Sequence, residues 1–213
     1  MSSDLFADVQ ETLALAEGVV LLRGFARAAA AMFEQAVAEV LALAPLRHMR
    51  TPGGRRMSVA MSNCGMLGWV SDERGYRYSP TDPEQGRPWP PMPHALHGLA
   101  REAAARAGFP GFDPDACLIN RYEPGARMSL HQDRDERDLS QPIVSASFGL
   151  PATFLLGGAT RAERASRLVL EQGDVLVFGG PARLRFHGVL PLAAGRHARL
   201  GAARVNLTFR RAG

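Results

Sequence analysis

From Ala116 to Arg210 the chain is a succession of short apolar runs separated by Gly, Pro and Asp, with no amphipathic helix between them. C-L-I-N-R-Y, I-V-S-A-S-F-G-L, A-T-F-L-L, R-L-V-L-E, D-V-L-V-F-G-G, R-L-R-F-H-G-V and R-V-N-L-T-F-R each have the length and β-branched or aromatic content of a strand. E-Q-G-D marks a turn between Leu170 and Val175. Strands so closely spaced point to an antiparallel sandwich or jelly-roll barrel. Helices are expected on its outside. Ala26 to Leu43 is rich in Ala, Leu, Glu and Met and stops at Pro45, and Pro93 to Gly108 places Leu96, Leu99, Ala100, Ala103, Ala104 and Ala107 on one face. The expected class is α+β, mainly β.

With 213 residues the chain can bury one good-sized core, and it shows no internal repeat or low-complexity tract. A single domain over 1–213 is expected, with 116–213 as the jelly-roll core. Residues 50–92, rich in Gly, Pro, Arg, Tyr and Trp with a strand-like Met57 to Met61, have too few apolar residues for a core of their own and read as a lid. No apolar run is long enough to cross a bilayer, and M-S-S-D-L-F-A-D lacks the basic and apolar segments of a leader, so a soluble cytoplasmic protein is expected. Cys64 and Cys117 read as packing thiols. His94 and His97 are expected to face solvent beside the apolar stripe of the second helix. The net charge is +4, all basic charge is arginine, and this balance alone does not select a nucleic-acid partner. The absence of lysine excludes any mechanism that needs a lysine Schiff base.

L-H-Q-D-R-D places His131 and Asp133 at i and i+2, which share one face of a strand, and His187 follows in R-F-H-G. Two histidines and a carboxylate suit a non-haem Fe(II) site with open positions for a cosubstrate and O2; the same three side chains suit zinc with an open fourth position. In the last apolar run Arg204, Asn206, Thr208 and Arg210 alternate with Val205, Leu207 and Phe209. An inward face bearing two arginines would need anions, and both guanidinium forks are within reach of a small dicarboxylate. A solvent-facing edge strand carries such charges equally well. Leu118, Asn120 and Tyr122 alternate on another strand and offer an amide and a phenol to the same anion, or else are core polar residues satisfied by backbone.

The set N-R-Y-x-P-G-A, L-H-Q-D-x-D-E, the late His187 and R-x-N-x-T-F-R resembles the AlkB family of Fe(II)/2-oxoglutarate-dependent dioxygenases. The resemblance extends to the early blocks D-L-F-A-D, T-P-G-G, M-S-V-A-M, N-C-G-x-L-G-W and P-D-A-C-L-I-N-R-Y. It implies a double-stranded β-helix under a nucleotide-recognition lid, with Fe(II) on His131, Asp133 and His187. It also implies 2-oxoglutarate and O2 as cosubstrates, with Asn206 and Arg210 near the 2-oxo acid and Arg204, Asn120 and Tyr122, beside Leu118, around the distal carboxylate. The implied reaction is oxidative demethylation of 1-methyladenine and 3-methylcytosine in single- or double-stranded DNA and in RNA. It yields succinate, CO2 and formaldehyde.

By the same resemblance Trp69 and the ring of His131 sandwich the extruded base, and Tyr76 meets the adjacent phosphate. Asp135 favours the cationic methylated base. Thr51, Met57, Met61, Tyr78 and Arg161 match further substrate contacts, of which Met57, Met61 and Tyr78 are also suited to simple packing. Arg127 and Arg134 are expected on phosphates and Glu123 in solvent. No obligate protein partner is implied, and the enzyme is expected to act as a monomer. Three other readings stay open: the same oxygenation on protein side chains or tRNA, a catalytically silent module that only binds alkylated nucleic acid, and a zinc hydrolase.

Overall fold

A computed structural model describes residues 11–213; the D-L-F-A-D block lies outside them. The strands are β1 (Glu11–Ala16), β2 (Val19–Arg23), β3 (Ala60–Gly65), β4 (Gly68–Asp72), β5 (Gly75–Ser79), β6 (Ala116–Tyr122), β7 (Met128–His131), β8 (Ile143–Gly149), β9 (Ala152–Leu156), β10 (Ser166–Leu170), β11 (Val175–Phe178), β12 (His187–Val189) and β13 (Arg204–Arg210). Two helices, α1 (Ala30–Leu43) and α2 (His94–Arg106), accompany them. Pairing is antiparallel in a major sheet of order β1-β2-β11-β8-β13-β6-β3, a minor sheet of order β10-β9-β12-β7, and the separate hairpin β4-β5. This is the expected jelly roll.

The major sheet is covered on both faces, so strands such as β8 are buried throughout instead of alternating with solvent. Val144, Ala146, Phe148, Leu207, Phe209, Cys117 and Ile119 point to the helices and pack with Phe33, Val37, Leu96 and Leu99. Ile143, Leu176, Phe178, Leu118 and Tyr122 point the other way, against Phe154, Leu156 and Val189 of the minor sheet. Each such fully buried side chain contributes about 1.5–3 kcal/mol. Between the two apolar zones β13 presents its polar face inward. It lies between β8 and β6, and Arg204 is 1% exposed, so the solvent-facing edge strand is ruled out.

Several expectations are corrected. α1 starts four residues later than expected, because Ala26 N–H donates to Gly173 O and Arg27 N–H to Gly24 O in a turn ahead of the helix. The turn expected at E-Q-G-D is present, and it carries the chain from β10 in the minor sheet to β11 in the major one. Gly173 is fixed there by its positive φ and by the Arg27 backbone, which a Cβ would meet at 2.5 Å. The strand expected at Met57–Met61 lies at Ala60–Gly65, where it extends the major sheet. R-L-R-F-H-G-V shortens to the three residues of β12, preceded by a 3-10 turn at Gly180–Ala182. β1 and β2 have no counterpart in the sequence reading.

Cys64 and Cys117 are buried cross-strand partners with free thiols. His97 lies at the surface, with its Nε2 2.8 Å from Asp113 Oδ1. Glu123 is exposed, 3.6 Å from Arg121.

Candidate active site

β7 and β12 are neighbours in the minor sheet, and their register sets His131 directly opposite His187. Such pairs bring side chains within reach of one another, and the two rings lie 4.4 Å apart. Gly188 permits this approach, since a Cβ there would stand 2.7 Å from Met128 O. Asp133 follows just past the end of β7. His131 Nε2 lies 3.5 Å from Asp133 Oδ1, and His187 Nε2 lies 3.7 Å from Asp133 Oδ2. The ligand atoms of all three residues fall within 4.8 Å of one another.

The donor set is ready for a cation. Each histidine Nδ1 faces a carbonyl two residues upstream, Ser129 O at 2.8 Å and Arg185 O at 3.1 Å. A carbonyl only accepts, so Nδ1 carries the proton and Nε2 keeps its lone pair for a metal. Burial, aided by His131, pushes His187 down to about 4, so its imidazole is neutral at neutral pH. Burial opposes ionisation of Asp133, but Arg210 and the two histidines override it and hold the carboxyl well below its ordinary range. An anionic carboxylate and a neutral imidazole are the forms that bind metal, and Asp133 and His187 are held in them. Burial opposes protonation of His131, but Asp133 and the Ser129 carbonyl override it and raise its pKa, so a metal there would displace a proton.

Deeper in the barrel lies the β13 cradle. Arg204 is opposite Tyr122 in the ladder, and its guanidinium sits 5.1 Å from the centre of that ring. Arg204 Nη2 donates to Ser147 Oγ at 3.0 Å, whereas Nε and Nη1, together with Asn120 Oδ1, have no hydrogen-bond partner. Burial lowers the pKa of this guanidinium. A buried cation with two unused donors fits one end of a dicarboxylate. Asn206 is already satisfied, donating to Ser145 Oγ and Ala146 O and accepting from Thr208. Arg210 donates to Asp133 Oδ2 through Nε at 3.0 Å and Nη2 at 2.5 Å.

Above the triad opens a cleft of about 650 Å³. Thr51, Met57, Met61, Trp69, Tyr76, Tyr78, Arg127, Arg134, Asp135 and Arg161 all line it, with His131, Asp133, Leu118 and Arg210 at its base. Asn120, Tyr122, His187, Arg204 and Asn206 are not among the lining residues. Met61 is buried in the apolar zone, as a packing residue would be. Trp69 Nε1 donates to Asp135 Oδ2 at 2.9 Å, so the carboxylate orients the indole. Tyr76 stacks on Trp69 at 5.6 Å and 13°, a contact that the sequence reading did not include.

Two buried charged residues beside the site, Glu136 and Arg183, were not singled out from the sequence. Glu136 accepts from Tyr78 Oη at 2.7 Å and from Arg183 Nη2 at 2.8 Å, and lies 3.2 Å from Arg210. Within D-R-D-E-R-D it reads as one more solvated charge, and nothing local distinguishes it.

Residues 18–210 match the model of the 2OG-Fe(II) oxygenase superfamily. The chain is 54% identical to the alpha-ketoglutarate-dependent dioxygenase AlkB of Escherichia coli K12, over 99% of this chain and 98% of that protein. It belongs to the AlkB family. A further relative of this AlkB-family chain is the DNA N(6)-methyladenine demethylase ALKBH1D of Arabidopsis thaliana, 44% identical over 55% of this chain and 29% of that protein. Among solved structures OsALKBH1 superposes with a TM-score of 0.80 at 30% identity, covering 94% of this chain and all of that one. The enzyme is thus an Fe(II)- and 2-oxoglutarate-dependent dioxygenase, and the triad and cradle have the donor chemistry those groups require. Among the described residues no helix is long and apolar enough to cross a membrane.

Proposed function

We propose that this AlkB-family enzyme removes alkyl groups from ring nitrogens of nucleic-acid bases, 1-methyladenine and 3-methylcytosine above all, in DNA and RNA. The observation that carries the reading is the Trp69–Asp135 pair on the cleft that also holds His131 and Asp133. A base methylated at N1 of adenine or N3 of cytosine is a cation, which an aromatic face and a carboxylate favour over the neutral parent. The name of the Arabidopsis relative supports a methylated DNA base as substrate.

When bound, Fe(II) and 2-oxoglutarate supply O2-dependent hydroxylation of a C–H bond, with succinate and CO2 as co-products. His131, Asp133 and His187 would hold the iron, and Arg204, Asn120 and Tyr122 the distal carboxylate. Arg210 would keep Asp133 ionised. Such a base reaches the cleft only when extruded or single-stranded. There Trp69 stacks on it, while Arg127, Arg134 and Arg161 are exposed around the cleft for the phosphates. Hydroxylation of the methyl carbon leaves a hydroxymethyl group on nitrogen, which departs as formaldehyde. The enzyme is proposed to work as a cytoplasmic monomer.

Formaldehyde release from oligonucleotides with and without a single 1-methyladenine tests the reading. Release only from the methylated strand is expected; indifference to the methyl group would turn attention to protein or tRNA substrates. Trp69→Ala is expected to raise KM for the methylated strand roughly 5- to 150-fold, from about 1–3 kcal/mol per stacked base. Steady-state kinetics should show the KM for 2-oxoglutarate unchanged.

A further inference from the structure

Asp133 is the second residue of an irregular segment, 132–142, which has neither strand nor helix to fix its path. Arg183, four residues before His187 and 3% exposed, reaches into this segment with all three guanidinium nitrogens. Nε donates to Gln141 O at 2.9 Å, Nη1 to Asp133 O at 2.7 Å, and Nη2 to Glu136 Oε2 at 2.8 Å. One planar group therefore holds both ends and the middle of the segment, and ties it to the strand that carries His187. Gln132 adds a tie to Leu184 O at 2.5 Å. The other oxygen of Glu136 accepts from Tyr78 of the β4-β5 hairpin.

We propose that Arg183 is a positioning residue of the metal site: it sets the backbone of Asp133 and, through Glu136, couples that backbone to Tyr78 of the recognition hairpin. The link is chemically demanding. Lysine keeps the charge but cannot present three donors in one plane, so Arg183→Lys removes the fork and leaves the cation. The Asp133 carbonyl would lose its donor, and Glu136, no longer fixed by the fork, would hold Tyr78 of the hairpin less firmly. The inference rests on the assignment of the metal to His131, Asp133 and His187.

The test uses Co(II) as a visible-absorption probe of the full chain. In Arg183→Lys the Kd for Co(II) is expected to rise about 10- to 100-fold, the usual consequence of losing a group that orients a ligand. Amide hydrogen exchange across Gly68–Ser79 is expected to accelerate in the same variant. Leu99→Ala, which loosens α2 against the sheet far from this segment, is expected to lower Tm while changing neither readout. Should Arg183→Lys not fold, Glu136→Gln interrupts the same link and should move both readouts in the same direction. A Co(II) affinity equal to that of the parent, an equal loss in Leu99→Ala, or unchanged exchange in the hairpin overturns the proposal. Failure of the parent chain itself to bind Co(II) overturns the metal assignment, and this inference with it.

Discussion

Asp133→Ala is expected to reduce 2-oxoglutarate turnover to background while the far-UV circular dichroism stays that of the parent chain. The side chain faces Nε2 of both histidines and is the one anion between them. Its loss should exceed the roughly 10- to 100-fold penalty for removing a group that merely supports a ligand. Breaking a buried ion pair costs about 3–5 kcal/mol when it strands the partner charge. Arg210 is not stranded here, because Glu136 remains 3.2 Å from its Nε. The seven-stranded sheet does not depend on Asp133. Release of labelled CO2 from 2-oxoglutarate measures the outcome, and turnover that survived would sink the iron assignment.

Arg204→Met should separate stability from binding in opposite directions. In the parent, Arg204 is a fully buried cation with two donors unused. An apolar side chain of similar length removes that desolvation penalty, and such replacements are often neutral or stabilising. The Tm without 2-oxoglutarate is therefore expected to hold or rise. The Kd for 2-oxoglutarate should weaken by roughly 30- to several thousand-fold, since truncating one partner of a buried charge pair costs about 2–5 kcal/mol. Calorimetric titration and thermal melts, each with and without 2-oxoglutarate, measure both arms. A variant that lost stability yet still bound 2-oxoglutarate would show that Arg204 serves the fold and not the cosubstrate.

What could be seen in the sequence was whatever repeats with a strand's period or stands next to its partner. R-V-N-L-T-F-R divides into a helix-facing and a barrel-facing set, and β13 divides in the same way. H-x-D lies on one short segment, so its geometry is local. β1 and β2 are different: V-V-L-L-R has no alternation to read, because β2 is held by pairing with β11, more than a hundred residues away. Glu136 and Arg183 escaped for a related reason. A charge buried by a distant opposite charge is indistinguishable in sequence from one in water, and only closure of the chain brings the two together. Ser145 and Ser147 likewise meet Asn206 and Arg204 only through the pairing of β8 with β13.

The pairing of His131 with His187 also gives the site a parity. Side chains in a strand alternate between faces, so the facing of the two histidines depends on the count of residues along β7 and β12 as much as on their identity. A single residue added to either strand would turn its histidine toward the opposite face while leaving every ligand present in the sequence. Two added residues would restore the facing. β7 already holds one extra residue against β12 between the pairs His131–His187 and Met128–Val189, so the parity governs the stretch beside the histidines and not the full length of either strand.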